Sequence, residues 1–189
     1  MDRTQQPRSL PDVSVVVPLY DEEANVARLA ERTHEALASA PFRWELVLVD
    51  DGSADRTLDE AHAARQRHGD HVKVVALQRN FGQTAAMQAG LDRARGQVAV
   101  TIDGDLQNDP EDIPRLVAKL IDEDLDLVVG WRRKRQDGFW LRRAPSRLAN
   151  KLIRRVTGVD VHDYGCSLKA YRASLVRQMR LYGEMHRFI

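Results

Sequence analysis

Two aspartates one residue apart, Asp103 and Asp105, stand directly after a short apolar run, and Gln107 follows at the same spacing. In an extended segment, alternate side chains project to the same side of the chain. Proteins hold Mg²⁺ or Mn²⁺ with such oxygen ligands, often one or two carboxylates plus substrate phosphates. The pattern therefore predicts a divalent-cation site, although an isolated pair of this kind is also typical of a solvated acidic loop.

A second acidic pair, Asp50 and Asp51, follows another apolar run, and Gly52-Ser53 permits a tight turn after it. One of these carboxylates is suited to accept a hydrogen bond from a nucleobase imide or a ribose hydroxyl. An Asx turn or a helix cap explains the pair equally well when it is taken alone.

The elements that must position these residues alternate along the chain. Short apolar runs rich in β-branched residues predict buried parallel strands. The predicted strands cover residues 13–17, 44–49, 72–77, 98–102 and 125–129. Because helical patterns separate these runs, the order predicts an α/β fold with a mainly parallel sheet and helices on both faces.

Four helices are predicted between the strands. The first begins near Glu23, and weaker patterns cover residues 55–67 and 84–93. Asp109 followed by Pro110 is a strong start signal for the fourth helix. Apolar residues at helical spacing define the faces that we expect to be buried. They are Val26, Leu29, Ala30, Thr33 and Leu37 in the first helix, and Ile113, Leu116, Val117, Leu120 and Ile121 in the fourth.

Polar segments follow three of the predicted strands, at residues 18–22, 50–53 and 103–107. Ligands of open α/β sheets bind beyond the carboxyl ends of the strands. We therefore expect these three segments to meet at one edge of the sheet and to bring at least five carboxylates together.

Several classes of protein are disfavoured. The chain has no G-x-G-x-x-G or Walker motif and no G-x-S-x-G elbow, which argues against dehydrogenases, P-loop enzymes and serine hydrolases. The single cysteine, Cys166, excludes a disulfide framework and a multi-cysteine zinc site, favours a reducing cytoplasmic setting, and is expected to be buried. No signal peptide and no apolar run near the roughly 20 residues of a membrane span is present.

Charge is distributed unevenly although the formal net charge is only +1. Residues 132–155 contain ten Lys or Arg and one acid, Asp137, with Phe139 and Trp140 among them. Basic clusters attract anionic lipid, and aromatic residues suit the membrane interface. We favour a membrane-facing or lipid-phosphate site over a plain solvated face; near-neutral net charge and the lack of a known motif disfavour nucleic acid.

Taken together, the motifs resemble the family 2 glycosyltransferases, and most closely the dolichyl- and undecaprenyl-phosphate sugar transferases among them. The resemblance runs from about Val13 to the last residue and is carried by five segments in order. They are residues 13–23, 49–53 (VDDGS), 78–82 (QRNFG), 103–111 (DGDLQNDPE) and 165–172 (GCSLKAYR).

The resemblance implies a GT-A fold, a nucleoside-diphosphate sugar donor (UDP- or GDP-linked) and inverting transfer. Residues implied to bind the nucleotide sugar are Pro18, Tyr20, Glu22, Asp50, Asp51 and Asp103. Asp103, Asp105 and Gln107 are implied to hold Mg²⁺ or Mn²⁺, and the catalytic set is Asp105, Asp163 and Arg132. The acceptor phosphate is assigned to Arg132, Arg143, Ser146, His186 and Arg187.

The function expected from the resemblance is sugar transfer to polyprenyl phosphate at the inner, cytoplasmic face of a membrane. Transfer to a polysaccharide or other glycan, and a non-catalytic nucleotide-sugar-binding domain, are the alternatives. Residues 1–11 are expected to form a flexible tail, and residues 12–189 a catalytic domain truncated at its C-terminus, the full-length form carrying membrane spans. The sequence is also compatible with a homo-oligomer.

Overall fold

The computed structural model describes residues 11–131 and 166–178. Within these ranges the strands are β1 (Val13–Leu19), β2 (Trp44–Asp50), β3 (Val72–Ala76), β4 (Val98–Thr101), β5 (Leu127–Val129) and β6 (Lys169–Arg172). The helices are α1 (Glu23–Leu37), α2 (Thr57–His68), α3 (Gln83–Arg93), α4 (Ile113–Asp122) and α5 (Ala173–Gln178). A short 3-10 turn, Pro110–Asp112, leads into α4.

The six strands form one sheet in the order β3-β2-β1-β4-β6-β5. β1 is parallel to β2 and to β4, and β2 is parallel to β3. β6 is antiparallel to both of its neighbours, β4 and β5. The predicted mainly parallel sheet is therefore confirmed, and the antiparallel strand is an addition that the sequence patterns did not reveal.

Two buried apolar clusters lie on opposite faces of this sheet, because alternate residues of β1 point to opposite sides. On one face, Val15 and Val17 pack with residues of α1, α2 and α4, including Leu29 and Leu120. On the other face, Val16 packs with Val47 and Val49 of β2 and with Ala86, Met87 and Leu91 of α3. Helices thus cover both faces, as predicted.

The predicted face of α1 is confirmed: Val26, Leu29, Ala30, Thr33 and Leu37 are all buried. Asp109 caps the turn before α4, since its side chain accepts a hydrogen bond from the backbone N–H of Glu111. The prediction that Ile121 is buried is wrong, because 54% of its surface is exposed. Ile121 lies in the last turn of α4, next to the point where the helix ends at Asp122. There the chain turns toward β5, and the backbone N–H of Leu125 donates to the carbonyl of Leu120.

Three histidines meet at the edge where β2 and β3 begin. His34 comes from the last turn of α1, His68 ends α2, and His71 directly precedes β3. The His34 ring centroid lies 4.8 Å from that of His68 and 5.7 Å from that of His71. One nitrogen of each ring is buried without a hydrogen-bond partner, namely His34 Nδ1, His68 Nε2 and His71 Nε2.

In the parts of the chain that the structure describes, no helix has both the length and the apolar character that crossing a membrane requires.

Candidate functional site

A cleft of about 320 Å³ opens at the carboxyl edge of the sheet, where the loops after β1, β2, β3 and β4 meet. Polar and apolar side chains share its wall. The lining residues are Pro18, Leu19, Tyr20, Glu22, Asp51, Asn80, Gly82, Gln83, Ala86, Asp103, Gly104 and Asp105. This is the edge at which ligands of open α/β sheets bind.

The loops after β1 and β2 are held together by reciprocal hydrogen bonds. The backbone N–H of Asp21 donates to Ser53 Oγ at 3.0 Å, and the backbone N–H of Ala54 donates to Asp21 Oδ1 at 2.9 Å. The backbone N–H of Glu22 donates to Thr57 Oγ1 at 2.7 Å. These bonds engage the Asp21 side chain with the loop after β2 and fix the backbone at Asp21 and Glu22. The fixed backbone positions Glu22 in the lining of the cleft.

Asp51 fixes the loop after β3. Its Oδ1 accepts the backbone N–H of Phe81 and its Oδ2 that of Gly82, both at 2.8 Å. The two loops also touch directly, since a Cβ at Gly52 would lie 2.3 Å from the carbonyl carbon of Arg79. Gly52 has φ +68°, so this position needs glycine for both its backbone conformation and its close contact.

The loop after β4 carries the predicted cation ligands. Asp103 and Asp105 both line the cleft, and Asp103 Oδ1 accepts a hydrogen bond from Gln83 Nε2 at 2.7 Å. Asp105 Oδ1 accepts the backbone N–H of Gln107 at 3.0 Å, which tightens the turn. Leu106, which lies between Asp105 and Gln107 in this turn, has a positive φ value of 59°. The side chain of Gln107 is exposed and does not belong to the lining.

Asn108 ties this loop to the start of β6. It is buried, and its Nδ2 donates to Ser167 Oγ at 2.8 Å, while Cys166 Sγ donates to Asn108 Oδ1 at 3.3 Å. Cys166 is itself buried, as predicted. The conformation of the aspartate loop thus depends on a segment nearly 60 residues further along the chain.

The charge of the cleft suits a divalent cation. Its described lining includes four carboxylates, from Glu22, Asp51, Asp103 and Asp105, and no Lys, Arg or His. Carboxylates gathered in one cleft repel one another, and a hard cation with oxygen preference offsets that repulsion. Among the described residues no group of three or more His, Cys, Asp or Glu is arranged to hold a metal ion alone. The donor set therefore fits a cation that is shared between Asp103, Asp105 and phosphate oxygens of a ligand.

The structure brings most of the predicted nucleotide and cation residues together. Pro18, Tyr20, Glu22, Asp51, Asp103 and Asp105 all line the cleft. Asp50 does not: it is buried, and its carboxylate faces the backbone N–H of Ser53 at 3.4 Å, so it supports the turn from within. The loops after β1, β2 and β4 meet at one edge as expected, and four of their carboxylates line the cleft.

The remaining predicted site residues lie outside the described residues. They are Arg132, Arg143, Ser146, Asp163, His186 and Arg187, together with the basic segment at 132–155. The sequence patterns missed the contribution of Asn80 and Gln83 to the cleft. The available signal is the position of this segment after the strand predicted at residues 72–77, since the carboxyl ends of parallel strands meet at one edge.

The chain belongs to glycosyl transferase family 2, whose family model matches residues 14–180. Among curated relatives, it is 58% identical over 186 residues to the dodecaprenyl-phosphate galacturonate synthase of Rhizobium johnstonii, covering 98% of this chain and 55% of the relative. It is 49% identical over 177 residues to the undecaprenyl-phosphate 4-deoxy-4-formamido-L-arabinose transferase of Pseudomonas aeruginosa, covering 94% and 52%. The chain thus spans about half the length of these relatives.

Solved structures share the fold. Glucosyl-3-phosphoglycerate synthase from Mycobacterium tuberculosis, in complex with Mn²⁺, UDP and phosphoglyceric acid, matches 87% of this chain and 57% of its own, with a TM-score of 0.67 and 24% identity. A mannosyltransferase from Pyrobaculum calidifontis, in complex with GDP-Man and Mn²⁺, matches 94% and 49%, with a TM-score of 0.63 and 22% identity. The fold is therefore the GT-A fold of glycosyltransferases, as the sequence motifs implied.

Proposed function

We propose that this chain is the donor-binding part of an inverting glycosyltransferase that moves a sugar from a nucleoside-diphosphate sugar to a polyprenyl phosphate. The observation that carries the proposal is the cleft itself, which sets Asp103 and Asp105 beside Asp51 at the carboxyl edge of the sheet. Two relatives that the chain matches over at least 94% of its length are named for a dodecaprenyl or undecaprenyl phosphate, which supports this acceptor.

Within the cleft we assign the nucleoside to the side formed by Pro18, Tyr20 and Asp51. Tyr20 lines the cleft and is 47% exposed, and an aromatic ring there is suited to pack against a base. Both Asp51 oxygens already accept backbone N–H groups, yet a carboxylate has about four lone-pair sites and can accept from a base as well.

The diphosphate is assigned to the side formed by Asp103 and Asp105, with Mg²⁺ or Mn²⁺ held between these carboxylates and the phosphate oxygens. When bound, such a cation supplies positive charge against the charge that develops on the departing diphosphate. The carboxylates of the cleft would otherwise repel the diphosphate, since no Lys or Arg belongs to the described lining. Donor binding should therefore depend on the cation.

In the proposed reaction an oxygen of the acceptor phosphate forms a bond to the anomeric carbon of the sugar. The bond from that carbon to the diphosphate oxygen breaks, and its electron pair leaves with the nucleoside diphosphate. Because a phosphate monoester is already an anion at neutral pH, with a second pKa of about 6, the attack does not require a general base. Attack from the face opposite the leaving group inverts the anomeric carbon.

The donor site is tested by calorimetric titration of UDP, GDP and their glucose, mannose and uronic acid conjugates, each with Mn²⁺ and with EDTA. We expect one base to bind, and only with the metal. Asp105→Asn should lower that affinity by at least about tenfold, or about 1.4 kcal/mol, without unfolding the protein. The matched control is Asp122→Asn, because Asp122 is exposed at the end of α4 and lies outside the cleft.

Two outcomes would contradict the donor assignment. The first is binding that is equally tight with EDTA, and the second is an Asp105→Asn variant that keeps its Mn²⁺-dependent affinity. The acceptor is tested separately, by following transfer of the sugar to polyprenyl phosphate in vesicles and to a soluble glycan. Transfer to the glycan alone would refute the lipid acceptor while leaving the donor site intact.

We further propose that the protein works at the cytoplasmic face of a membrane, because a polyprenyl acceptor resides in the bilayer. The ten basic residues at 132–155, with Phe139 and Trp140, are the sequence feature suited to this surface. Sedimentation with vesicles that carry the acceptor tests it: replacing Phe139 and Trp140 by serine should reduce binding, and unchanged binding would contradict the proposal.

A further inference from the structure

Gln83 is the first residue of α3 and lines the cleft, where its side-chain Nε2 donates a 2.7 Å hydrogen bond to Asp103 Oδ1. We propose that Gln83 is a positioning residue, which orients the Asp103 carboxylate for the divalent cation. The inference rests on the proposed function, in which Asp103 shares that cation with the donor diphosphate.

The backbone at Gln83 is fixed from both sides. On its N-terminal side, the backbone N–H of Gly82 donates to Asp51 Oδ2 at 2.8 Å and lies 3.0 Å from Asn80 Oδ1. On its C-terminal side, α3 is packed onto β1 and β2 through the buried side chains of Ala86 and Met87. Because the backbone at Gln83 is held on both sides, its side chain starts from a fixed position and can define the direction of the hydrogen bond to Asp103.

The chemistry of the amide suits this role. A carboxylate that binds a cation needs a fixed orientation and its full negative charge, and partners that orient metal ligands are themselves important for affinity. Gln83 supplies an N–H donor and adds no charge, whereas a lysine at the same place would neutralise Asp103 and compete with the cation. The hydrogen bond from Gln83 therefore orients the Asp103 carboxylate without adding a positive charge to the lining.

The bond also joins the two halves of the proposed donor site. Asp51 follows β2 and Asp103 follows β4, and these strands lie on opposite sides of β1. Asp51 holds the backbone of Phe81 and Gly82, and Gln83, the next residue, holds Asp103. The start of α3 thus connects the nucleoside side of the cleft to the diphosphate side across the end of β1.

The test is titration of the whole chain with Mn²⁺, first alone and then in the presence of UDP or GDP. Electron paramagnetic resonance measures the free ion in both titrations. Gln83→Met keeps the length of the side chain and removes the donor. The matched control is Gln88→Met on the same helix, because Gln88 makes the same type of bond, 2.8 Å to Asp92 Oδ1, outside the lining. Urea unfolding of all three proteins checks that stability is unchanged.

We expect Gln83→Met to weaken Mn²⁺ affinity by roughly tenfold, the lower end of the range for such partners, and Gln88→Met to leave it unchanged. Saturating Mn²⁺ should restore the nucleotide affinity of Gln83→Met, because the defect lies in the orientation of a cation ligand. Equal Mn²⁺ affinity in Gln83→Met and the unaltered chain would overturn the role of Gln83, including the case in which only nucleotide affinity falls. Failure of the unaltered chain to bind Mn²⁺ even in the presence of UDP or GDP would overturn the cation site itself and this inference with it.

Discussion

Replacing Gly52 by alanine should damage the protein at the junction of two cleft loops. An added Cβ would lie 2.3 Å from the carbonyl carbon of Arg79 and 2.7 Å from the backbone nitrogen of Asn80. Backbone atoms cannot rotate away as the end of a side chain can, so one loop must move. The left-handed φ of +68° adds strain of about 1–2 kcal/mol for an L-residue.

The expected loss in the free energy of unfolding follows from these two contributions. Overpacking of this kind typically costs about 1–3 kcal/mol, which together with the backbone strain gives a loss of about 2–5 kcal/mol. Small domains are stable by about 5–15 kcal/mol, so the loss is large enough to measure by urea unfolding followed by tryptophan fluorescence. Nucleotide affinity should fall too. The loop after β3 must move away from Gly52, and this movement disturbs the hydrogen bonds by which Asp51 holds that loop in the cleft.

Gly82 provides the control for Gly52. It has φ +93° and no atom within 4 Å of an added Cβ, so Gly82→Ala should show backbone strain alone, about 1–3 kcal/mol. If Gly52→Ala destabilises the protein by less than about 2 kcal/mol, which backbone strain alone explains, the loops are not in the tight contact described above.

Two further predictions concern regions away from the cleft. The pKa values of His68 and His71 lie below the ordinary value of about 6.5, mainly because the rings are buried and secondly because the neighbouring histidines oppose a further positive charge. In acid the unfolded chain therefore binds more protons than the native chain. The free energy of unfolding should therefore fall as the pH drops below about 6.5, and His68→Gln should flatten this dependence in urea titrations; an unchanged slope would show that the cluster does not titrate on unfolding. Leu120→Ala should cost about 2–5 kcal/mol because Leu120 is fully buried in α4, whereas Ile121→Ala, one residue on and 54% exposed, should change stability by less than about 0.5 kcal/mol. Similar losses for the two variants would contradict the placement of α4.

The central strands could be predicted from the sequence because their side chains are buried on both faces. Val13–Leu19 and Trp44–Asp50 are apolar nearly throughout and rich in valine, which distinguishes them from amphipathic helices. Lys169–Arg172 carries no such pattern, and only its position between β4 and β5 makes it a strand. Pairing with distant neighbours is a tertiary effect, and short-range patterns do not contain it.

The candidate site was predictable in its location and less so in its contacts. The carboxylates after β1, β2 and β4 were expected at one edge because parallel strands end there together. The groups that donate to the Asp51 and Asp103 carboxylates come instead from the loop after β3 and the first residue of α3, 20 to 31 residues away along the chain. Which loops contact one another at this edge depends on the order of the strands in the sheet, and the motifs alone do not specify that order.

The position of β6 also has a consequence for the order in which the chain can fold. Within the described residues β5 pairs only with β6, in a register that joins Leu127 to Tyr171. During synthesis β1 to β4 can assemble as they emerge, but β5 must wait for a strand that is made about 40 residues later. Until then the side of β4 that receives β6 is an open edge, and open edges invite pairing with other chains. The antiparallel strand is thus the step that covers the edge of β4, and a chain that ends before it would leave β4 unprotected.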